Sequence, residues 1–277
     1  MTDQNIKTFH LHMVSDSTGE TVGLVTRACL VQFDTIDAHE HLWSMVRSKE
    51  QVQEILDGIR EHPGFVLYTV VNEEIRAMLE DGCRKLQVPC ISVLDPIIAK
   101  LGVHLDAEVH PMPGRQHVMD AEYFNRIEAM HFVLSHDDGQ MIRDLDQADV
   151  VLLGVSRTSK TPTSIYLANR GIKTANIPIV PGCALPEEMF TASNPLVVGL
   201  TKEPKRLVEI RRQRLKLLDH DEGSDYVDLE KVSEEINEAR RLFTKNNWPV
   251  INVSHKSIEE TAATIIQLYN RRREEED

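Results

Sequence analysis

Residues 149–178, DVVLLGVSRTSKTPTSIYLANRGIKTANIP, join a short apolar run to a polar turn, a lysine and a helical stretch. The same alternation recurs along the chain and narrows the fold more than any other feature. Short β-branched runs at 9–14, 40–46, 65–71 and 90–94 alternate with helical patterns near 20–32, 49–61 and 72–87. Further strands are expected at 149–153, 173–177, 196–200 and 249–253, and further helices near 120–131, 162–170, 204–218, 228–245 and 257–270. This order predicts an α/β protein, in which parallel strands are covered by helices on both faces. The rhythm breaks at 103–118, VHLDAEVHPMPGRQHV, with two prolines, a glycine and three histidines. A linker at 105–118 is therefore expected between an N-terminal parallel-sheet domain, 1–104, and a C-terminal domain, 119–277. No internal repeat is evident. Ser257 and Glu260 have the spacing of a capping box for the last helix.

Composition excludes several classes. With 41% apolar and 27% charged residues, the 277-residue chain can build a packed core. A net charge of −13 argues against nucleic acid, whose phosphates need clustered Lys and Arg. The one basic cluster, RLVEIRRQRLK at 206–216, reads as a solvated helix face, with a surface for an acidic partner as the alternative. Four cysteines without CxxC spacing suit reduced thiols, and no apolar run approaches the ~18 residues of a membrane span. A soluble, cytoplasmic protein is expected.

The turn at 154–161 has the ingredients of a phosphate cradle: backbone N–H groups, a helix N-terminus behind them and a cation. Gly154, Lys160 and Thr161 match G-x-x-x-x-G-K-[ST], while Ser159 stands at the second glycine. Val150 to Leu153 are continuously apolar, as a buried parallel strand requires, and Pro162 falls in the first helical turn, where its missing N–H costs nothing. Gly154, Val155, Ser156, Arg157, Thr158, Ser159, Lys160 and Thr161 would thus form a P-loop. Lys160 would reach the outer phosphate, Arg157 would add a forked charge, and the Thr161 hydroxyl would coordinate Mg²⁺. A serine at positive φ costs on the order of 1 kcal/mol, so a differently shaped loop or a compensating contact is implied.

This stretch, with HLHMVSDSTGET (10–21), PGRQHVMDAEYFNRIEAMHFVLSHDDGQ (113–140), NIPIVPG (176–182) and SIEETA (257–262), resembles the pyruvate, phosphate dikinase regulatory proteins. Their sister group is the phosphoenolpyruvate synthase regulatory proteins, in which Gly tends to replace Ser159. The resemblance covers nearly the whole chain, and GVSRTSKTP with HDDG carries its specificity. It implies a bifunctional enzyme with a kinase-like C-terminal domain. ADP would be the donor for phosphorylating, and so inactivating, a threonine of the dikinase. Inorganic phosphate would be the acceptor when the phosphate is removed as pyrophosphate. Inorganic phosphate is then expected in the place of the departing β-phosphate, so that one loop serves both directions and ADP and phosphate compete.

His136, Asp137 and Asp138 form a glycine-ended turn ahead of the nucleotide strand. Asp-Gly is a common turn pair, yet adjacent carboxylates beside a histidine can also share a proton. One of the two aspartates is the expected base, the two not being separable, with the His136 imidazole assisting. The turn Ser15–Thr21 reads either as a helix cap or as a grip on the target or an effector. His10 and His12, like His39 and His41, share strand faces without forming a metal motif. A homodimer is compatible with the sequence. A P-loop kinase of a small molecule and a non-enzymatic ADP sensor are the competing functions.

Overall fold

The computed structural model describes residues 6–114, 121–217 and 225–276, the side chain of residue 276 excepted. The chain divides into two compact units, Met1–Val118 and Met119–Asp277. Residues 115–118 of the expected linker, His117 among them, lie outside the described residues. None of the described helices is long and apolar enough to cross a membrane.

The first unit runs β1 (Lys7–Ser15), α1 (Glu20–Leu30), β2 (Ile36–Trp43), α2 (Lys49–Glu61), β3 (Gly64–Thr69), α3 (Glu73–Lys85), β4 (Cys90–Ser92) and α4 (Asp95–Leu105). Its four strands are parallel in the order β2-β1-β3-β4. Helix α2 coincides with its predicted span because Ser48 and Gln51 close a capping box and Val52, Ile55, Leu56 and Ile59 fall on one buried face. Strand β2 begins and ends earlier than the predicted 40–46. Beyond Trp43 the chain turns at Met45 (φ 57°), and the N–H groups of Met45 and Val46 donate to Ser17 O and Ser15 O past the end of β1. Helix α4 was not among the expected elements; Pro96 falls in its first turn, where a proline starts a helix rather than ending one.

The second unit contains α5 (Ala121–Ser135), β5 (Val150–Gly154), α6 (Lys160–Ala168), β6 (Thr174–Pro178), α7 (Glu188–Thr191), β7 (Leu196–Thr201), α8 (Pro204–Leu217), α9 (Leu229–Lys245), β8 (Val250–Asn252) and α10 (Ile258–Glu276). Two short 3₁₀ turns, Asp137–Gly139 and Ile142–Gln147, lead into β5. The strands are again parallel, in the order β6-β5-β7-β8. Val151 and Leu153 face one buried cluster and Val150 and Leu152 another, so β5 is covered on both sides, as its continuous apolar run requires. The predicted capping box holds. Ser257 N–H donates to Glu260 Oε2 at 2.8 Å and Glu260 N–H to Ser257 Oγ at 3.1 Å.

Both units therefore place their first strand second in the sheet, although no repeat was legible in the sequence. The likeness extends to the turn after that strand. Helix α1 follows a left-handed residue, Gly19 (φ 84°), and α6 follows another, Ser159 (φ 65°); neither makes a side-chain cap bond. Glu20-Thr21 opens α1 where Lys160-Thr161 opens α6. Topology depends on hydrophobic pattern and turn geometry rather than on residue identity, so a fold can recur with little trace in the letters.

Candidate active site

In sheets of this order, ligands bind at the carboxyl ends of the strands where the connections diverge, here between β5 and β7. The turn leaving β5 sits at that point. Gly154 is obligatory there: a Cβ would lie 2.6 Å from Leu200 O and 2.7 Å from Thr158 Oγ1. Arg157 and Ser159 both adopt positive φ, 71° and 65°. For L-residues this costs ~1–2 kcal/mol each, and such strain persists only where surrounding contacts impose it. Thr158 Oγ1 donates to Val155 O at 2.9 Å across the turn. The compensating contact expected from the sequence lies here and in Arg211. That guanidinium donates to Ser156 O at 3.4 Å and to Tyr226 O at 3.1 Å, while the Tyr226 hydroxyl and Ser156 Oγ are 3.1 Å apart.

Arg211 corrects the reading of 206–216 as a solvated face. It is 1% exposed, paired with Glu235 at 2.7 Å and stacked over the Tyr226 ring at 4.4 Å. Arg206, by contrast, is exposed and, among the described residues, pairs with Glu209.

Lys160, 6% exposed, folds back to donate to Gly154 O at 3.0 Å and Val155 O at 3.3 Å. Burial drops its ammonium to about 8, against the opposing pull of Asp138 and Asp137. Thr161 Oγ1 donates to Asp137 Oδ1 at 2.9 Å. The Asn176 side-chain amide donates to the same Asp137 oxygen and, at 3.2 Å, to Thr161 Oγ1, while its carbonyl accepts the Asp138 N–H at 3.2 Å. Its own backbone N–H donates to His136 O. Asn176, 1% exposed on β6, thus ties the HDDG turn to the first turn of α6.

The two aspartates therefore differ. Asp137 is engaged by Thr161 and Asn176. Asp138, in the left-handed conformation (φ 50°), is exposed, and its carboxylate makes no hydrogen bond among the described residues. The His136 ring does not join them. It stacks on Phe132, with ring centres 3.7 Å apart, and donates from Nδ1 to Phe132 O at 2.9 Å, which leaves buried Nε2 as an acceptor without a partner among the described residues. Proton sharing between His136 and the carboxylates, expected from the sequence, is not what this geometry supplies.

A cavity of about 340 Å³ opens over the turn, lined by Asp138, Arg157, Lys160, Thr161, Pro178 and Lys202, among others. Sequence reasoning missed Asn176 and Lys202. The first lay inside the quoted NIPIVPG stretch but was given no role, and the second carries no local signal.

A profile described as Kinase/pyrophosphorylase matches residues 11–266. The chain belongs to the kinase/pyrophosphorylase family. Relatives in it carry the name pyruvate, phosphate dikinase regulatory protein. One from Paramagnetospirillum magneticum is 57% identical over 96% of this chain and 86% of its own length. Those from Sinorhizobium medicae and Erythrobacter litoralis are 52% and 51% identical, over 96% of this chain and 97% and 96% of theirs. Among solved structures, a mitochondrial ornithine carbamoyltransferase from Coccidioides immitis aligns over 94% of this chain and 77% of its own at 12% identity and a TM-score of 0.26, too low to relate the folds.

Elsewhere the family member departs from what its sequence suggested. The expected ordinary strand histidines pack together in the first unit. His10 lies against His39, His41 and His62, and His12 against His41, with ring centres 4.6–5.3 Å apart. His12 is fully buried, donating from Nε2 to His62 O and accepting from Trp43 Nε1. Among the described residues no group of three ligating side chains could hold a metal ion. The Ser15–Thr21 turn lines a second, smaller cavity of about 180 Å³. There Asp16 accepts the Val71 N–H at 2.7 Å, and burial raises its carboxyl above the usual range.

Proposed function

We propose that this protein transfers the β-phosphoryl group of ADP to a threonine of pyruvate, phosphate dikinase and removes it again by phosphorolysis with inorganic phosphate, releasing pyrophosphate. The observation that carries this reading is a buried, hydrogen-bonded lysine on a strained turn that lines one cavity with the exposed Asp138 carboxylate, while Asp137 is bonded to Thr161 of the same lining. Family membership and the names of the relatives supply the target and the reaction class.

In the forward direction the turn from Val155 to Thr161 holds the ADP phosphates as a P-loop does. Lys160, displaced from its two carbonyls by a better acceptor, neutralises charge on the phosphoryl in flight, and Arg157 reaches it from the exposed side. The threonine oxygen attacks the β-phosphorus, the bond to the α-phosphate oxygen breaks, and the threonine proton passes to Asp138. AMP leaves. In reverse, an oxygen of inorganic phosphate attacks the phosphorus of phosphothreonine, the bond to the threonine oxygen breaks, and Asp138 returns the proton to that oxygen. Asp137 is the positioning group, fixed by Asn176. The hydroxyl of Thr161 and the carboxylate of Asp137, 2.9 Å apart, are hard oxygen donors that fit Mg²⁺. When bound there, Mg²⁺ would neutralise phosphate charge.

The test uses β-labelled ADP and purified dikinase with wild type, Asp138→Asn and Asp137→Asn. Label is expected on a dikinase threonine with wild type. Asp138→Asn should lower turnover at least ~100-fold while ADP still binds, whereas Asp137→Asn should also weaken ADP binding. Label that fails to reach dikinase and instead reaches phosphoenolpyruvate synthase moves the target. Label reaching neither protein removes the reading.

A further inference from the structure

We propose that the cavity over the β5 turn holds two phosphoryl groups side by side, Lys160 gripping the one that moves and Lys202 the one that does not. This deepens the reaction proposed above and rests on it.

The chemistry asks for such a pair. ADP is a transferable phosphoryl joined through an oxygen to the phosphate of AMP. Pyrophosphate is a transferable phosphoryl joined through an oxygen to the phosphate that attacked. In both directions the group in flight passes between the threonine oxygen and an oxygen of a second phosphate. Orthophosphate therefore takes the place of the AMP phosphate rather than that of the departing β-phosphoryl, and a site serving both reactions needs a fixed cation at that second position.

Lys202 has the properties of that cation. It follows the last residue of β7, Thr201, so it stands just past the carboxyl end of the strand beside β5, across the point where the connections diverge. It lines the cavity together with Lys160 and Thr161, yet it is only 6% exposed. Lys160 has two carbonyl acceptors within 3.3 Å. Lys202 has no hydrogen bond or ion pair among the described residues, and the charge acting on it is that of Arg206, another cation. Burial lowers its pKa accordingly. A lysine whose side chain is this largely buried, with its head at a cavity and no anion beside it, is poorly solvated, and such groups are found paired. A phosphate in the cavity supplies the missing partner. The volume of about 340 Å³ lies within the ~300–1,000 Å³ of ordinary ligand clefts.

Calorimetric titration of the full chain with ADP, AMP, pyrophosphate and orthophosphate tests this without any target protein. Lys202→Met should weaken all four by about ten-fold or more, the scale of one charged hydrogen bond, and Lys202→Arg should recover most of the loss. Lys160→Met should weaken ADP and pyrophosphate far more than AMP, since AMP lacks the moving phosphoryl. A folded Lys202→Met protein that binds AMP and pyrophosphate as wild type does overturns the second position alone, leaving the transfer reaction standing. Wild type that binds none of the four overturns that reaction as well.

Discussion

Replacing Lys160 by Met should make the ligand-free protein more stable while abolishing ADP binding. The burial that drops the ammonium from 10.5 to about 8 places a cost on its charged form. That is about 2.5 pH units at 1.36 kcal/mol each, or ~3 kcal/mol at neutral pH. Truncating the charge orphans neither carbonyl. Gly154 O keeps the Ile179 N–H at 3.0 Å, and Val155 O keeps Thr158 Oγ1 at 2.9 Å. Some of the gain is offset by the two lost hydrogen bonds, so the expected stabilisation at pH 7 is ~1–3 kcal/mol. It should also fade with pH. Between about 8 and 10.5 the unfolded chain holds the lysine proton and the folded chain does not, so wild-type stability climbs across that window and the two proteins converge above it. Urea unfolding of both proteins at pH 7 and pH 10, with ADP titration in parallel, measures each part. A Lys160→Met protein less stable than wild type at pH 7, or a gap that does not narrow toward pH 10, would refute the reasoning.

Two further outcomes follow from the same turn. Arg211→Ala should cost ~3 kcal/mol in urea unfolding, near the lower end for a broken buried pair because Glu235 keeps 16% exposure, and Arg211→Met with Glu235→Leu should recover most of it. Gly154→Ala should destabilise by ~1–3 kcal/mol through the clash with Leu200 O and Thr158 Oγ1 and weaken ADP binding, whereas a wild-type melting curve would show that the strands have room to part.

Local patterns were legible in the sequence where one element decides its own conformation. The span of α2, the capping residues of α10 and the uninterrupted apolar run of β5 belong to this kind. Strand β2 was placed too far along because it lies at the sheet edge, where burial alternates weakly and the register with β1 sets the limits. The turn after β5 was singled out from Gly154, Lys160 and Thr161, which lie within eight residues of one another. Asn176 and Arg211 were not, because their meaning lies in partners brought close by the sheet: Asp137 is 39 residues from Asn176 and Glu235 is 24 from Arg211. Lys202 was illegible for a related reason. Nothing near it in the chain says that it points into the cavity made by the turn of a different strand.

The paired turns of the two units amount to a comparison that the molecule makes within itself. A strand end, a left-handed residue and a helix opened by a charged residue and a threonine occur twice, with glutamate in the first unit and lysine in the second. The exposed peptide groups of a helix N-terminus attract anions in both places. Beside Glu20 and Asp16 that attraction is opposed by negative charge, and beside Lys160 it is reinforced. Under the function proposed above, the sign of the residue that opens the helix, with Arg157 and Lys202 beside it, is what would turn this shared backbone toward phosphate in the second unit.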